Sequence, residues 1–163
     1  MLNPLENFEN KALQRKSSNQ RFLSSLKRKT PRDLDDSFHR LHENVFNDIN
    51  CLDCANCCKT TSPIFYQKDI ERIAKRLKMK PGNFIEQYLY IDSDHDYVLK
   101  SSPCPFLGED NHCVIYEERP TACREYPHTN RKNMYQVLDL TLKNTLVCPA
   151  VLRIVELLIE EKK

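Results

Sequence analysis

Glycine is nearly missing from this chain. The sequence has two glycines, Gly82 and Gly108, and they stand far apart. The loops that wrap the phosphates of ATP or of dinucleotides need several glycines close together, because the backbone must approach the phosphate closely. The sequence therefore excludes nucleotide-dependent enzymes of the P-loop and Rossmann types.

Long apolar runs are missing as well. The first ten residues carry Glu6 and Glu9 and lack the apolar core of a signal peptide, and no later run approaches the length of a membrane span. The sequence therefore predicts a cytoplasmic protein with no membrane association. At 163 residues the chain fits one domain of ordinary size, with room for an appendage.

Positive charge is concentrated near the N-terminus. Residues 1–30 hold seven Lys or Arg and two Asp or Glu, which leaves 18 and 21 for the remainder, or +5 against −3. Only two aromatic residues, Phe8 and Phe22, lie among these cations, too few to resemble a base-stacking surface. We interpret this segment as a solvated helical face rather than a nucleic-acid site, and we expect a protein partner of unknown kind.

Apolar residues recur at helical spacing in several segments, which predicts a mainly α fold with a little β (small α+β). For example, Leu34, Phe38, Leu41 and Val45 share one helical stripe. The predicted helices are residues 2–29 as one helix or two, 30–49 with Thr30 as N-cap, 67–79, 81–89, and the segment after Cys148. Residues 97–99 predict a short strand, and residues 133–142 fit either a strand or a helix.

What the sequence does contain is cysteine. Two-residue gaps between cysteines are typical of thiolate sites for zinc and for iron–sulfur clusters. In a reducing cytoplasm so many thiols indicate metal ligands rather than disulfides. We therefore predict that all eight are metal ligands of one metal-organised domain: Cys51, Cys54, Cys57, Cys58, Cys104, Cys113, Cys123 and Cys148.

The first four cysteines fall within eight residues, and their geometry depends on the backbone. In a continuous helix Cys51, Cys54 and Cys58 would share a face, because each residue advances about 100°. In a loop that wraps a metal, Cys51, Cys54 and Cys57 form the natural trio. In either case the adjacent Cys57 and Cys58 are not expected to be equivalent ligands, and one of them binds a second site or closes the first from another direction.

The later cysteines lie on three different kinds of segment. A small hairpin that turns at Gly108 would bring Cys104 and Cys113 together. Cys148 precedes Pro149, which suits the first position of the final helix, so Cys148 is predicted to be its cap. The positive end of the helix dipole is expected to lower the pKa of the Cys148 thiol.

The order of these motifs resembles the YkgJ-type cysteine-cluster family, which is described as a zinc- or iron-chelating domain and is named for its CxxCxxCC motif. Two departures are small, Tyr126 where the family often has Phe and Ala150 where Gly often follows Cys-Pro. The resemblance covers Cys51 through Cys148 and implies a metal-binding domain. We assign this domain to residues 51–163, after basic and amphipathic N-terminal helices over residues 1–50 that lie outside the resemblance. The motifs that carry it are Cys51/Cys54/Cys57/Cys58, Cys104-Pro105-Phe106-Leu107, Cys113-x-Ile115-Tyr116-x-x-Arg119-Pro120-x-x-Cys123-Arg124-x-Tyr126-Pro127 and Cys148-Pro149.

Three functions follow from such a centre. The first is a [4Fe-4S] iron–sulfur protein in electron transfer or an accessory redox role. In it Arg119 and Arg124 either offset the negative charge of the thiolates or form surface ion pairs with Glu117, Glu118 or Glu125. The second is a structural zinc module that binds a partner, since spacing does not separate zinc from iron. The third is an enzyme that acts at the cluster, with His112, His128 or Tyr126 near an open coordination position.

Overall fold

The computed structural model describes residues 4–163 and shows a mainly α protein with a small two-stranded antiparallel hairpin, which confirms the predicted fold class. Among these residues no helix is both long and apolar enough to cross a membrane. The helices are α1 Phe8–Arg28, α2 Leu34–Asp48, α3 Cys51–Cys54, α4 Asn56–Thr60, α5 Gln67–Arg76, α6 Pro81–Tyr88, α7 Thr121–Glu125, α8 Leu138–Asn144 and α9 Pro149–Glu161. The strands are β1 Leu89–Ile91 and β2 Tyr97–Leu99, and short 3-10 helices cover Tyr116–Glu118 and Met134–Val137.

The chain forms two compact units. Unit 1 comprises Met1–Cys54 and Pro127–Lys163, and unit 2 comprises Ala55–Tyr126. The domain boundary expected at residue 50 marks where the cysteine motif begins, and it stays a prediction.

Unit 1 is a helical core in which α2 and α9 make the most extensive packing. The stripe predicted for α2 is buried, with Leu34, Phe38, Leu41 and Val45 at 5% exposure or less. The predicted start of this helix at Thr30 is wrong, since α2 begins at Leu34 with Asp33 as its cap. The Thr30 hydroxyl donates instead to the carbonyl oxygen of Leu26 in the preceding helix, at 3.1 Å.

The N-terminal segment is one continuous helix, α1, which packs on α8 and α9. A buried carboxylate on α9 fixes it there: Glu156, 8% exposed, pairs with Lys11 at 2.9 Å and with Arg15 at 3.7 Å. Some of the basic residues near the N-terminus are therefore neutralised within unit 1.

One polar side chain in α1 is buried without compensation. Asn19 is 0% exposed, and neither its amide nitrogen nor its amide oxygen has a hydrogen-bond partner. We expect Asn19→Leu to raise the free energy of unfolding by about 1–2 kcal/mol, because it removes two unpaired polar groups at similar volume. Chemical denaturation measures the change.

The exposed Asn10 on the same helix provides the control. Asn10→Leu gives the same gain in helix propensity without the change in burial, so it should shift the free energy of unfolding by at most about 0.5 kcal/mol. A loss of stability in Asn19→Leu alone would mean that the Asn19 amide has a bound partner.

Unit 2 is built on α5, α6 and the hairpin. β1 and β2 pair with Leu89 opposite Leu99, so the strand predicted at residues 97–99 is confirmed and its partner is the short segment after α6. Phe84 and Phe106 stack with ring centroids 6.1 Å apart within this core. Cys104 and Cys113 pack against the same core. Hydrophobic surface therefore covers one side of these two thiols.

Candidate metal centre

The cysteine-rich octet, residues 51–58, is two short helices rather than one helix or one loop. Ala55 between them has φ of 48°, the left-handed region that residues with a side chain rarely adopt. The helix break at Ala55 places the cysteines before it and those after it in different parts of the structure. Cys51 and Cys54 belong to unit 1, and Cys57 and Cys58 belong to unit 2.

Unit 2 brings four cysteines together, one from each of four segments. Each thiol lies close enough to the other three for their charges to interact, and this holds for each of the six pairs that four thiols form. We call this group the tetrad: Cys58, Cys104, Cys113 and Cys123. The grouping puts Cys58 with the later cysteines, a choice that spacing alone left open.

Backbone hydrogen bonds place the tetrad residues. The Cys104 amide donates to the Cys58 carbonyl oxygen at 2.8 Å. The hairpin predicted for residues 104–116 is reduced to an isolated bridge between Leu107 and Cys113. In the turn between these two residues the Gly108 amide donates to the His112 carbonyl oxygen at 2.8 Å, and a Cβ on Gly108 would lie 2.8 Å from Asp110 Oδ1. The turn still brings Cys104 and Cys113 together.

The tetrad thiols differ in acidity. Burial raises the pKa of Cys104 to about 11 and that of Cys123 to about 12, and repulsion from the other tetrad thiolates adds to the effect. Burial also raises the pKa of Cys113. A hydrogen bond from Cys57 lowers the pKa of Cys58 to about 7 against the opposing effect of burial. A cation among these sulfurs would offset both the burial and the repulsion that disfavour the thiolates.

The two arginines proposed to offset the thiolate charge have different surroundings. Burial raises the pKa of Cys113 and Cys123, and the nearby charge of Arg119 opposes that effect. The Arg119 guanidinium lies 3.8 Å from the Tyr116 ring centroid. Arg124 donates to the backbone carbonyl oxygens of Glu117 and Arg119. The positive charge of Arg119 therefore lies near the tetrad, while the hydrogen bonds of Arg124 hold the turn that contains Arg119.

A buried ion pair on α5 holds the segment that leads to Cys123. Asp69 is 1% exposed; its Oδ1 accepts hydrogen bonds from the Thr121 amide at 3.2 Å, the Thr121 hydroxyl at 3.0 Å and Arg72 at 2.7 Å. Arg72 also donates to the carbonyl oxygens of Glu118 at 3.2 Å and Arg119 at 2.9 Å. These bonds between Asp69, Arg72 and Thr121 were not predicted from the sequence. The available signal was an acidic residue, Asp69, in the first turn of α5.

Unit 1 holds a second group of thiols. Cys51 and Cys54 lie close enough to Cys148 to raise its pKa, although burial is the larger cause of a value of about 11. Cys148 caps α9 as predicted. The predicted lowering of its pKa is wrong, because burial outweighs the backbone amides of Ala150 and Val151 that favour the thiolate.

At least three of the five histidines have partners in the protein. His112 is exposed and pairs with Asp110, Nδ1 to Oδ2, at 3.2 Å. In unit 1, His39 and His42 bond to the loop after Pro127, at 2.8 Å to the Arg131 carbonyl oxygen and 2.7 Å to the Thr129 hydroxyl. Across residues 4–163, no three His, Cys, Asp or Glu side chains form a preformed metal-ligand group.

The donor set nevertheless fits a metal bound by sulfur. The eight cysteines, all within residues 4–163, form no disulfide, and the tetrad offers four sulfurs, the number and type that zinc and [4Fe-4S] clusters take. These features define the chain as a cysteine-rich metal-binding protein.

Comparison with known families agrees with that class. Residues 50–146 match the CxxCxxCC family, "Putative zinc- or iron-chelating domain", and the chain belongs to this family. The match confirms the resemblance, and it ends before Cys148. No curated protein and no solved structure matches the chain.

Proposed function

We propose that the tetrad holds a [4Fe-4S] cluster and that the protein is an electron-transfer or accessory redox protein. The observation that carries the proposal is the mutual proximity of Cys58, Cys104, Cys113 and Cys123 in one unit. Four cysteine thiolates are the usual ligands of such a cluster. When bound, the cluster supplies a one-electron redox couple.

The chain's own residues prepare the site in three ways. The amides of Phe106 and Leu107 favour the thiolate of Cys104, and the amide of Ile115 favours that of Cys113. Hydrogen bonds to cluster sulfurs are among the features that set a reduction potential. The apolar core behind Cys104 and Cys113 limits solvent on that side, and Arg119 offsets negative charge.

The proposal leaves the other four cysteines as candidate ligands. Cys51, Cys54 and Cys148 form a separate group in unit 1, while Cys57 lowers the pKa of Cys58 through a hydrogen bond. We propose a reducing, cytoplasmic setting, which suits a protein whose eight cysteines form no disulfide.

A structural zinc site in the tetrad is the second candidate. Unit 2 is small, and between β2 and α7 its only regular element is a 3-10 helix of three residues. A small unit with so much irregular chain gains stability from a metal that ties its segments together. In this case the protein would act through partner binding.

Anaerobic purification separates the two candidates. We expect a brown protein with about four iron and four sulfide per chain and a visible absorption band that bleaches on reduction. A colourless protein that binds one zinc and takes up no iron after anaerobic reconstitution would overturn the iron–sulfur proposal in favour of zinc.

A further inference from the structure

Unit 2 has a basic cavity on its surface, between α5 with the residues that follow it and the 3-10 helix Tyr116–Glu118. We call it the basic groove. Its volume is about 540 Å³. Four cations and two carboxylates line it, so its net charge is positive: Arg72, Lys75, Arg76, Lys78, Glu117 and Glu118.

The four cations are not equally available. Arg72 is committed to Asp69 and to two backbone carbonyl oxygens, and Arg76 lies 3.7 Å from the carboxylate of Glu118. Lys75 and Lys78 are exposed and form no ion pair within the described part of the chain. The groove therefore presents two ammonium groups whose charge is not neutralised locally.

Lys78 adopts a backbone conformation that suits glycine better. Its φ is 56°, and the Met79 amide closes the end of α5 on the Ala74 carbonyl oxygen at 3.0 Å. Glycine is preferred at this point of a helix end because a Cβ is disfavoured at positive φ. The chain thus has a lysine at a position where glycine would be more stable.

The wall of the groove borders the tetrad. Glu118 and Arg119 both lie close enough to Cys113 to shift its pKa, and Arg72 donates to the carbonyl oxygens of these same two residues. A molecule bound in the groove would therefore be close to the tetrad, with only a short turn of chain between them.

We propose that the basic groove docks a protein partner whose surface presents a cluster of carboxylates. Lys75 and Lys78 match such a surface in charge. The groove has no aromatic lining on which bases could stack. That the partner is a redox protein rests on the proposed function, whereas the docking rests on the groove alone.

Fluorescence anisotropy with labelled poly-L-glutamate, on the full-length metal-loaded protein, tests the docking. The double variant Lys75→Glu/Lys78→Glu should weaken binding by about tenfold or more, because it replaces attraction with repulsion. The matched control, Lys16→Glu/Arg21→Glu, reverses two exposed cations of α1 and should change binding by about twofold at most. Equal weakening by both variants, or tighter binding of labelled poly-dT than of poly-L-glutamate, would overturn the proposal.

A second variant guards against simple misfolding. Lys78→Gly should raise the midpoint temperature of unfolding, since glycine suits the positive φ, and should weaken probe binding, since one ammonium group is lost. General destabilisation would not produce these opposite effects. Unchanged binding in Lys78→Gly would contradict the docking role of Lys78.

Metal analysis of the same samples separates this proposal from the proposed function. Zinc without iron, together with weakened binding in the groove variants, would support the docking and overturn the iron–sulfur assignment. An intact iron–sulfur centre with wild-type probe binding in the groove variants would support the proposed function and overturn the docking.

Discussion

Cys123→Ser is expected to remove the metal centre of unit 2. The thiol lies among the other three tetrad sulfurs, and α7, which carries it, is fixed from α5 by the bonds between Asp69 and Thr121. A serine hydroxyl is a poorer donor than a thiolate for both zinc and iron–sulfur clusters. We expect loss of iron and sulfide and of the visible band, or a fall in zinc affinity of more than about a hundredfold. Mutating a residue that only hydrogen-bonds to a metal ligand already lowers metal affinity by up to about a hundredfold, so losing a ligand itself should cost more.

The matched control is Cys51→Ser. Cys51 lies in unit 1, is exposed and is grouped with Cys54 and Cys148. The absorption of the tetrad centre should persist in this variant, measured on anaerobic protein reconstituted in parallel with Cys123→Ser. Equal loss of the centre in both variants would contradict the tetrad as a ligand set.

Asp69→Ala is expected to have the largest effect on the stability of unit 2. It removes a buried carboxylate that accepts hydrogen bonds from Tyr66, Arg72 and Thr121. Tyr66 and Thr121 lose this acceptor, while Arg72 keeps the carbonyl oxygens of Glu118 and Arg119. Removing one member of a buried ion pair costs about 3–5 kcal/mol. Because the Arg72 side chain is 34% exposed and can reach water, we expect a loss near the lower value, about 3 kcal/mol, by chemical denaturation.

Asp94→Ala provides the control, since Asp94 is an exposed aspartate in the turn between β1 and β2. It should change the free energy of unfolding by about 0.5 kcal/mol or less. Equal changes in the two variants would mean that the Asp69 bonds add nothing to the fold.

The pH dependence of Asp69→Asn gives a second readout. Burial alone would raise the pKa of Asp69, but bonds from Arg72, Tyr66 and Thr121 outweigh it and lower the pKa below its ordinary 3.8. The stability that the carboxylate contributes is therefore present above the ordinary pKa and is lost as pH falls through the lowered one. Asp69→Asn should lack this part of the acid dependence.

Helical packing is the part of the structure that the sequence predicts best. The spacing of Leu34, Phe38, Leu41 and Val45 identifies the buried face of α2, and Pro149 marks the start of α9. These features depend on residues that are close together in the sequence, so the local sequence pattern is enough to predict them. Positive φ at Ala55 and Lys78 is not visible in this way, because neither residue is the glycine that usually signals it.

The thiol grouping is predicted only in part. Spacing indicates that Cys57 and Cys58 are not equivalent, but the choice of Cys58 for the tetrad depends on the backbone break at Ala55 and on contacts with Cys104 and Cys123, which are distant in sequence. The Asp69 bonds to Thr121 are also long-range. The sequence around Asp69 does not predict that Thr121 is its partner, and the sequence around Thr121 does not predict Asp69.

The division of the chain at Cys54 and Pro127 has a practical meaning for fragment design. In topological terms unit 2 is an insertion into unit 1, whose two halves pack through α2 and α9. A fragment trimmed to the family match, residues 50–146, would keep all of unit 2 but would lose α1, α2 and α9. Such a fragment would leave the apolar face of α8 without its partners, whereas residues 55–126 form a continuous excisable segment.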